Sequence, residues 1–287
     1  DLPLTAKAIR QESEKKLNEQ KLSIPFPGWD QLKKESLEDA PSVLLLVRDE
    51  NGEGVRWVEG KAKKGLQRVS WDLRLPPPNP INLTVPAFQP PWAGSPKGPL
   101  AAPGSYSVEL FIMNNGKLES QGEKQTFDVL PVHAPNKNYK EVANFQKKTS
   151  DLSRRTSSAS RQLGEASNKL RHIKVALLKT PNITPEMFEQ WSELKMALAM
   201  LKTNLQRDRL RQSKDESTSP SITSRIGNVI WGHWDTTELP TETQKRNIEI
   251  AEEEFEQYLI EVSTFFEKLA AYELAIEKAG APYTPGR

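Results

Sequence analysis

The residues of this 287-residue chain to test first for chemistry are its histidines, its scattered carboxylates and its tryptophans. His133, His172 and His233 lie far apart in sequence, which leaves little for a metal centre or a histidine base. The chain has no cysteine, so disulfides, thiolate nucleophiles and cysteine metal sites are excluded. A serine or threonine nucleophile needs an adjacent base, and none of the three histidines sits in a glycine-rich turn. Neither G-x-S-x-G nor a glycine-rich phosphate loop of either common type occurs. Asp49, Glu50, Asp72, Glu109 and Asp128 read as solvated or turn residues rather than as an acid and base pair flanking a cleft. We expect no catalytic residue, no metal and no cofactor on this chain.

Aromatic residues are the better candidates for contact with a ligand or partner. Trp231, His233 and Trp234 fall within four residues, in a segment, 221–237, that joins two helical stretches. Phe88 and Trp92 stud a proline-rich excursion. Each group has a second reading. The 221–237 segment folds over a bundle end and buries its own apolar residues, and Phe88 with Trp92 closes the open end of a β-domain.

Three regions must position these residues. Residues 1–40 read as a charged connector, with a polar helix over Thr5–Leu22, breakers at Pro25, Pro27 and Gly28, and a small apolar anchor of Trp29, Leu32 and Leu37. Residues 41–131 read as all-β. Val43–Val47, Val55–Val58, Gln67–Leu75, the stretch around Tyr106–Ile112 and Thr126–Leu130 are strands, with turns at Asp49–Gly52 and Asn114–Gly116. About six short strands in this span suggest an immunoglobulin-like β-sandwich. Its interruption, the loop 76–103, holds 10 of the 22 prolines and cannot be a central strand.

Residues 139–281 read as helical. Apolar and small residues step by three and four from Val142 to Leu177, and again over Met187, Trp191, Leu194, Leu198, Leu201 and Leu205. After a polar loop, 207–240, Thr241–Gln244 spells a capping box. Ile248, Phe255, Val262, Leu269 and Ile276 then repeat at sevens. These stripes predict mutual burial in a long antiparallel three-helix bundle, a rod of helices about 35–60 Å long. The fold class expected is therefore α+β multidomain, a small immunoglobulin-like β-sandwich followed by that bundle.

Charge and hydropathy exclude further classes. Forty basic against 38 acidic residues leave a net charge of +2, which offers no field for nucleic acid. No apolar run approaches the roughly 20 residues of a transmembrane helix. The chain begins at Asp1 without an initiator Met or signal segment, so we expect it to be processed or part of something longer. Asn82-Leu83-Thr84 and Asn182-Ile183-Thr184 match glycosylation sequons and are read as incidental.

Two strings carry a resemblance: Gly65-Leu66-Gln67-Arg68-Val69-Ser70-Trp71-Asp72-Leu73-Arg74, and Gly98-Pro99-Leu100-Ala101-Ala102-Pro103-Gly104-Ser105-Tyr106-Ser107-Val108. The pairing resembles the region that follows the propeller in bacterial exported proteins of the sortilin-like, neuraminidase-repeat type, often labelled glycosyl hydrolases. The sandwich is similar to the immunoglobulin-like domain of the flagellar hook-capping protein. Pro27-Gly28-Trp29 and the ending Gly280-Ala281-Pro282-Tyr283-Thr284-Pro285-Gly286-Arg287 extend the likeness over nearly the whole chain. It implies a scaffold motif: Trp71 filling the core, Asp72 accepting hydrogen bonds from loop backbone, Pro103-Gly104 making a tight turn, and Tyr106 beginning a return strand. It also implies an upstream propeller that holds any active site, and export to the periplasm, outer surface or medium of a bacterium. The function expected is a non-catalytic structural and interaction region whose partner is its own propeller or another protein chain, with oligomerisation through the rod as a further option. The alternative is an accessory part of a glycan- or peptide-acting hydrolase.

Overall fold

The computed structural model describes residues 2–84, 87–131 and 138–286. Among them the fold is mixed α/β, with seven helices and one antiparallel sheet of five strands. Two compact units divide the chain. One comprises Asp1–Pro76 and Ala101–Lys137, the other Pro77–Leu100 and Asn138–Arg287. The proline-rich segment thus groups with the helices, not with the sheet it interrupts in sequence.

The first unit opens with α1 (Ala6–Glu19), capped by the Thr5 hydroxyl, which accepts from the Ala8 N–H at 3.1 Å. Beyond Gly28, at φ 86°, the chain forms α2 (Trp29–Leu37). Arg10 clasps the two helices together, its Nη2 donating to Glu35 Oε2 at 2.8 Å and its Nη1 to Glu14 Oε1 at 2.6 Å. That pairing holds the Glu35 carboxyl below its usual range. The expected apolar anchor differs: Trp29 and Leu37 are exposed, and Trp29 packs edge-on with Phe26 at 5.3 Å.

The sheet consists of β1 (Ser42–Arg48), β2 (Gly54–Gly60), β3 (Gly104–Asn114), β4 (Lys117–Ser120) and β5 (Gln125–Val129). Its order is β2-β1-β3-β4, with β5 also on β3. The long β3 takes β4 along Phe111–Asn114 and β5 along Gly104–Val108, so both share one edge. Asp49 Oδ1 accepts from the N–H groups of Asn51 and Glu53 and folds the first hairpin. Asn115 and Gly116, at φ 47° and 75°, fold the second, the doubly left-handed turn that two-residue hairpins favour.

Register puts Leu44, Leu46, Trp57 and Phe111 on one face, and Val43, Leu45, Val108, Leu110 and Ile112 on the other. A strand apolar on both faces is normally covered on both. Here, among the described strand residues, apolar side chains are buried only at Leu46, Val47 and Tyr106, while Trp57, Leu110 and Met113 are exposed.

One expected strand is missing. Residues 67–75 form no strand, only a single bridging residue at Arg74, and no second sheet exists among the described residues. The reason is local. Leu73 sits at φ 56°, in the left-handed region, and Asp72 Oδ1 accepts from the Arg74 N–H at 3.1 Å, a turn that no ladder accommodates. The alternation of Val69, Trp71 and Leu73 imitates a strand. What fixes the segment is Trp71, set on the sheet face against Tyr106 and Phe127.

The second unit holds α3 (Tyr139–Leu177), α4 (Pro185–Leu205), α5 (Arg209–Gln212), α6 (Ile222–His233) and α7 (Glu242–Lys278). Ion pairs tie α3 to α7 in rising register, Lys148–Glu252 at 2.7 Å, Arg155–Glu256 at 2.6 Å and Lys169–Glu273 at 2.9 Å, so these two helices run parallel. Helix α4 runs against both. Trp191 Nε1 donates to the Leu170 carbonyl, and the hydroxyls of Tyr258 and Tyr272 donate to the carbonyls of Leu201 and Met187. Burial pushes the Tyr272 phenol up to about 12.

Thr223 Oγ1 donates to the Leu205 carbonyl, so α6 starts where α4 ends. The expected loop 207–240 therefore contains two helices. Ser221 caps α6, and Ile222, Ile226, Val229 and His233 line its buried face at helical spacing. Residues from α3, α4, α6 and α7 share one apolar core. Ile248, Phe255, Val262, Leu269 and Ile276 all lie inside it, and the capping box at Thr241 and Gln244 is formed from both sides.

Candidate functional site

Helix α6 carries His233 inward, with 2% of its surface exposed. Its Nε2 lies 2.9 Å from the Glu238 carbonyl, which assigns the proton to that nitrogen. Phe145 meets the imidazole edge-on at 5.2 Å. Gln146 of α3, equally buried, donates through Nε2 to the carbonyls of His233 at 2.8 Å and Thr236 at 3.2 Å, and that nitrogen stands 3.4 Å from His233 Nδ1. The amide cannot turn over, because its oxygen would then face two carbonyls. These contacts make a latch between α3, the end of α6 and the 234–241 connector.

Burial holds the His233 imidazole below its ordinary value of 6.5, opposed only in part by the bond to Glu238. Below 6.5 the unfolded chain then binds more protons than the folded one. The helical unit gains stability from neutral His233 above that pH and loses it as pH falls through the folded value. Urea midpoints followed by helical circular dichroism should drop between pH 7 and 5.5, and His233→Gln should flatten that slope. A wild-type midpoint that is level across this range would remove the latch as a titrating element.

Trp231, His233 and Trp234 do not form one site. Residues two apart on a helix point about 200° apart, so with His233 inward Trp231 is left 92% exposed. Trp234, at the helix end, is buried, and its Nε1 has no hydrogen-bond partner among the described residues. Phe88 and Trp92 are both exposed, Trp92 to 85%. His172 lies on α3, its Nδ1 2.9 Å from the Asn168 carbonyl, and His133 lies outside the described residues.

The motif residues of the sheet unit gather around Tyr106. Trp71 is half-buried, its Nε1 donating to the Arg74 carbonyl at 3.0 Å. Pro103 and Gly104 lead into β3, and the buried Tyr106 hydroxyl donates to the Ala102 carbonyl at 2.6 Å. Burial, with the charges of Asp49 and Glu50, raises the Tyr106 phenol.

Two concave surfaces mark the helical unit. One, of about 980 Å³, is of mixed character, lined by Ser157, Ser160 and Asn168 of α3, by Phe266 and Leu269 of α7, and by Pro80 and Pro285. The other, of about 890 Å³, runs between α4 and α7, with Leu194, Ala197 and Met200 facing Ile260, Phe265 and Tyr272. Sequence reasoning missed Gln146 and this second groove. The groove has a signal: three of the four methionines, Met187, Met196 and Met200, fall on α4, a helix with apolar residues beyond its buried stripe. Gln146 has none, since a lone glutamine beside a stripe looks solvated. No group of three or more His, Asp and Glu able to hold a metal occurs among the described residues.

No protein-family model, no curated protein and no solved structure matches this chain. No helix among the described residues is long and apolar enough to cross a membrane.

Proposed function

We propose that the chain is a non-catalytic structural and interaction region of a larger exported bacterial protein, one that also carries a propeller. The observation that supports it most directly is the five-stranded sheet, apolar on both faces yet exposing Trp57, Leu110 and Met113. Apolar surface of this kind marks contact with another domain or chain. We read the sheet as one layer of an immunoglobulin-like sandwich whose second layer is the irregular segment bearing Trp71. The Tyr106 hydroxyl, bonded back to the backbone four residues upstream, supports that reading, because immunoglobulin-like sandwiches use a tyrosine in this way. We read the helical unit as an antiparallel three-column bundle whose middle column is α4 followed by α6. Export and the propeller rest on the sequence resemblance. The intact mass of the protein isolated from its source is the test. A species well above 32.4 kDa is expected, and a mature product of 32.4 kDa from a gene encoding only these residues would overturn the reading.

The exposed aromatics Phe88, Trp92 and Trp231 favour the accessory hydrolase reading enough to test it. Aromatic faces stack on sugar rings, so a glycan titration followed by tryptophan fluorescence should respond if this reading holds. A flat response would remove glycans as the ligand.

A further inference from the structure

We infer that the α4–α7 face is a homodimer interface, with α7 crossing α7 of a second copy in antiparallel fashion. Met200 of α4 and Ile260 of α7 line the groove and are both exposed, Ile260 to 70%. Methionine at the surface adapts its shape to a facing helix, and exposed apolar side chains on two adjacent helices mark an interface.

The charges of the groove select the occupant. The groove's charged lining is Glu193 of α4 with Glu261 and Lys268 of α7, and the last two, seven residues apart, lie at the same position two turns along α7. Neither has an ion-pair partner among the described residues, although most acidic residues of the α3-facing side of α7 do. Parallel pairing of two α7 helices in register sets Glu261 beside Glu261 and Lys268 beside Lys268. Antiparallel pairing centred between Thr264 and Phe265 sets Glu261 of each copy across from Lys268 of the other, twice, and puts Ile260 at the level of the second copy's Leu269. Flanking charges of this kind set partner and direction in helix pairs. A two-fold axis makes one α7 complementary to itself, as isologous contacts require. The surface belongs wholly to the helical unit and does not depend on the proposed propeller context.

Sedimentation equilibrium on the full chain tests this. A monomer–dimer equilibrium is expected, and a monomer at every concentration up to about 100 μM overturns the inference. Ile260→Glu should weaken association by about a hundredfold and Glu261→Lys by about tenfold. Both residues are exposed, so neither change should lower the melting temperature of a monomeric sample. The charge swap Glu261→Lys with Lys268→Glu should restore wild-type association, since each new pair is again opposite in sign. A dimer indifferent to Ile260→Glu, or one that the swap leaves as weak as Glu261→Lys alone, overturns the antiparallel α7 contact.

Discussion

Phe255→Ala should lower the thermal midpoint of the helical unit by roughly 10 °C, the largest effect of any single truncation considered for this chain. Phe255 has no exposed surface. Its ring stacks on Tyr258 at 6.1 Å, and the Arg155 guanidinium sits 5.3 Å from its centroid. Truncating a buried phenylalanine removes its transfer energy and leaves a cavity, together about 3–5 kcal/mol. In the shared apolar core that loss reaches α3 and α7 at once, because Arg155 also pairs with Glu256 at 2.6 Å. Glu253→Ala, on the exposed side of the same helix, should stay within about 0.5 kcal/mol of wild type. Circular dichroism melts of the two variants give the comparison. Equal, small effects would mean that the inner face of α7 has been drawn wrongly.

Gln146→Leu should be the second most damaging change, although it swaps one buried side chain for another of similar size. The amide donates to two main-chain oxygens, those of His233 and Thr236. Leucine takes that donor from both, leaving the His233 carbonyl, among the described residues, only the Thr236 N–H at 3.3 Å and the half-buried Thr236 carbonyl none from α3, at about 1–3 kcal/mol for an under-satisfied buried polar group. The connector 234–241 should loosen with it, because the His233 and Thr236 carbonyls lose the contact that fastens them to α3. Urea unfolding and amide exchange over residues 234–241 measure the two effects. Gln190→Leu, at the exposed rim of the α4–α7 groove, is the control. A Gln146→Leu midpoint equal to that control would sink the latch.

The helical stripes were legible from sequence almost residue by residue. From Val142 to Leu177 each expected inward position is buried except Phe145, which is partly buried beside His233. The period of 3.6 is imposed within a single helix, and an apolar stripe that long has to be covered. The β-region was legible where turn chemistry marked it, at Asp49 and at Asn115-Gly116, and misleading at 67–75, where alternation came without a partner strand. The 221–237 segment, expected as a connector that buries its own apolar residues, does bury Ile222, Ile226, Val229 and Trp234, but over Ile222–His233 it is a helix. The spacing of Ile222, Ile226 and Val229 was the better signal.

By itself, then, the sequence determined the caps, the turns, the long amphipathic helices and the absence of cysteine chemistry. All of these depend on residues a few positions apart or on composition. Only the tertiary structure decided that Leu73 breaks a strand, that residues 77–100 group with the helices, and that Glu261 and Lys268 line a groove without ion-pair partners among the described residues. It alone joined Gln146 to His233 across 87 residues. Whether a polar side chain is solvated or locked in a core depends on what the rest of the chain brings to it, and local periodicity carries no record of that.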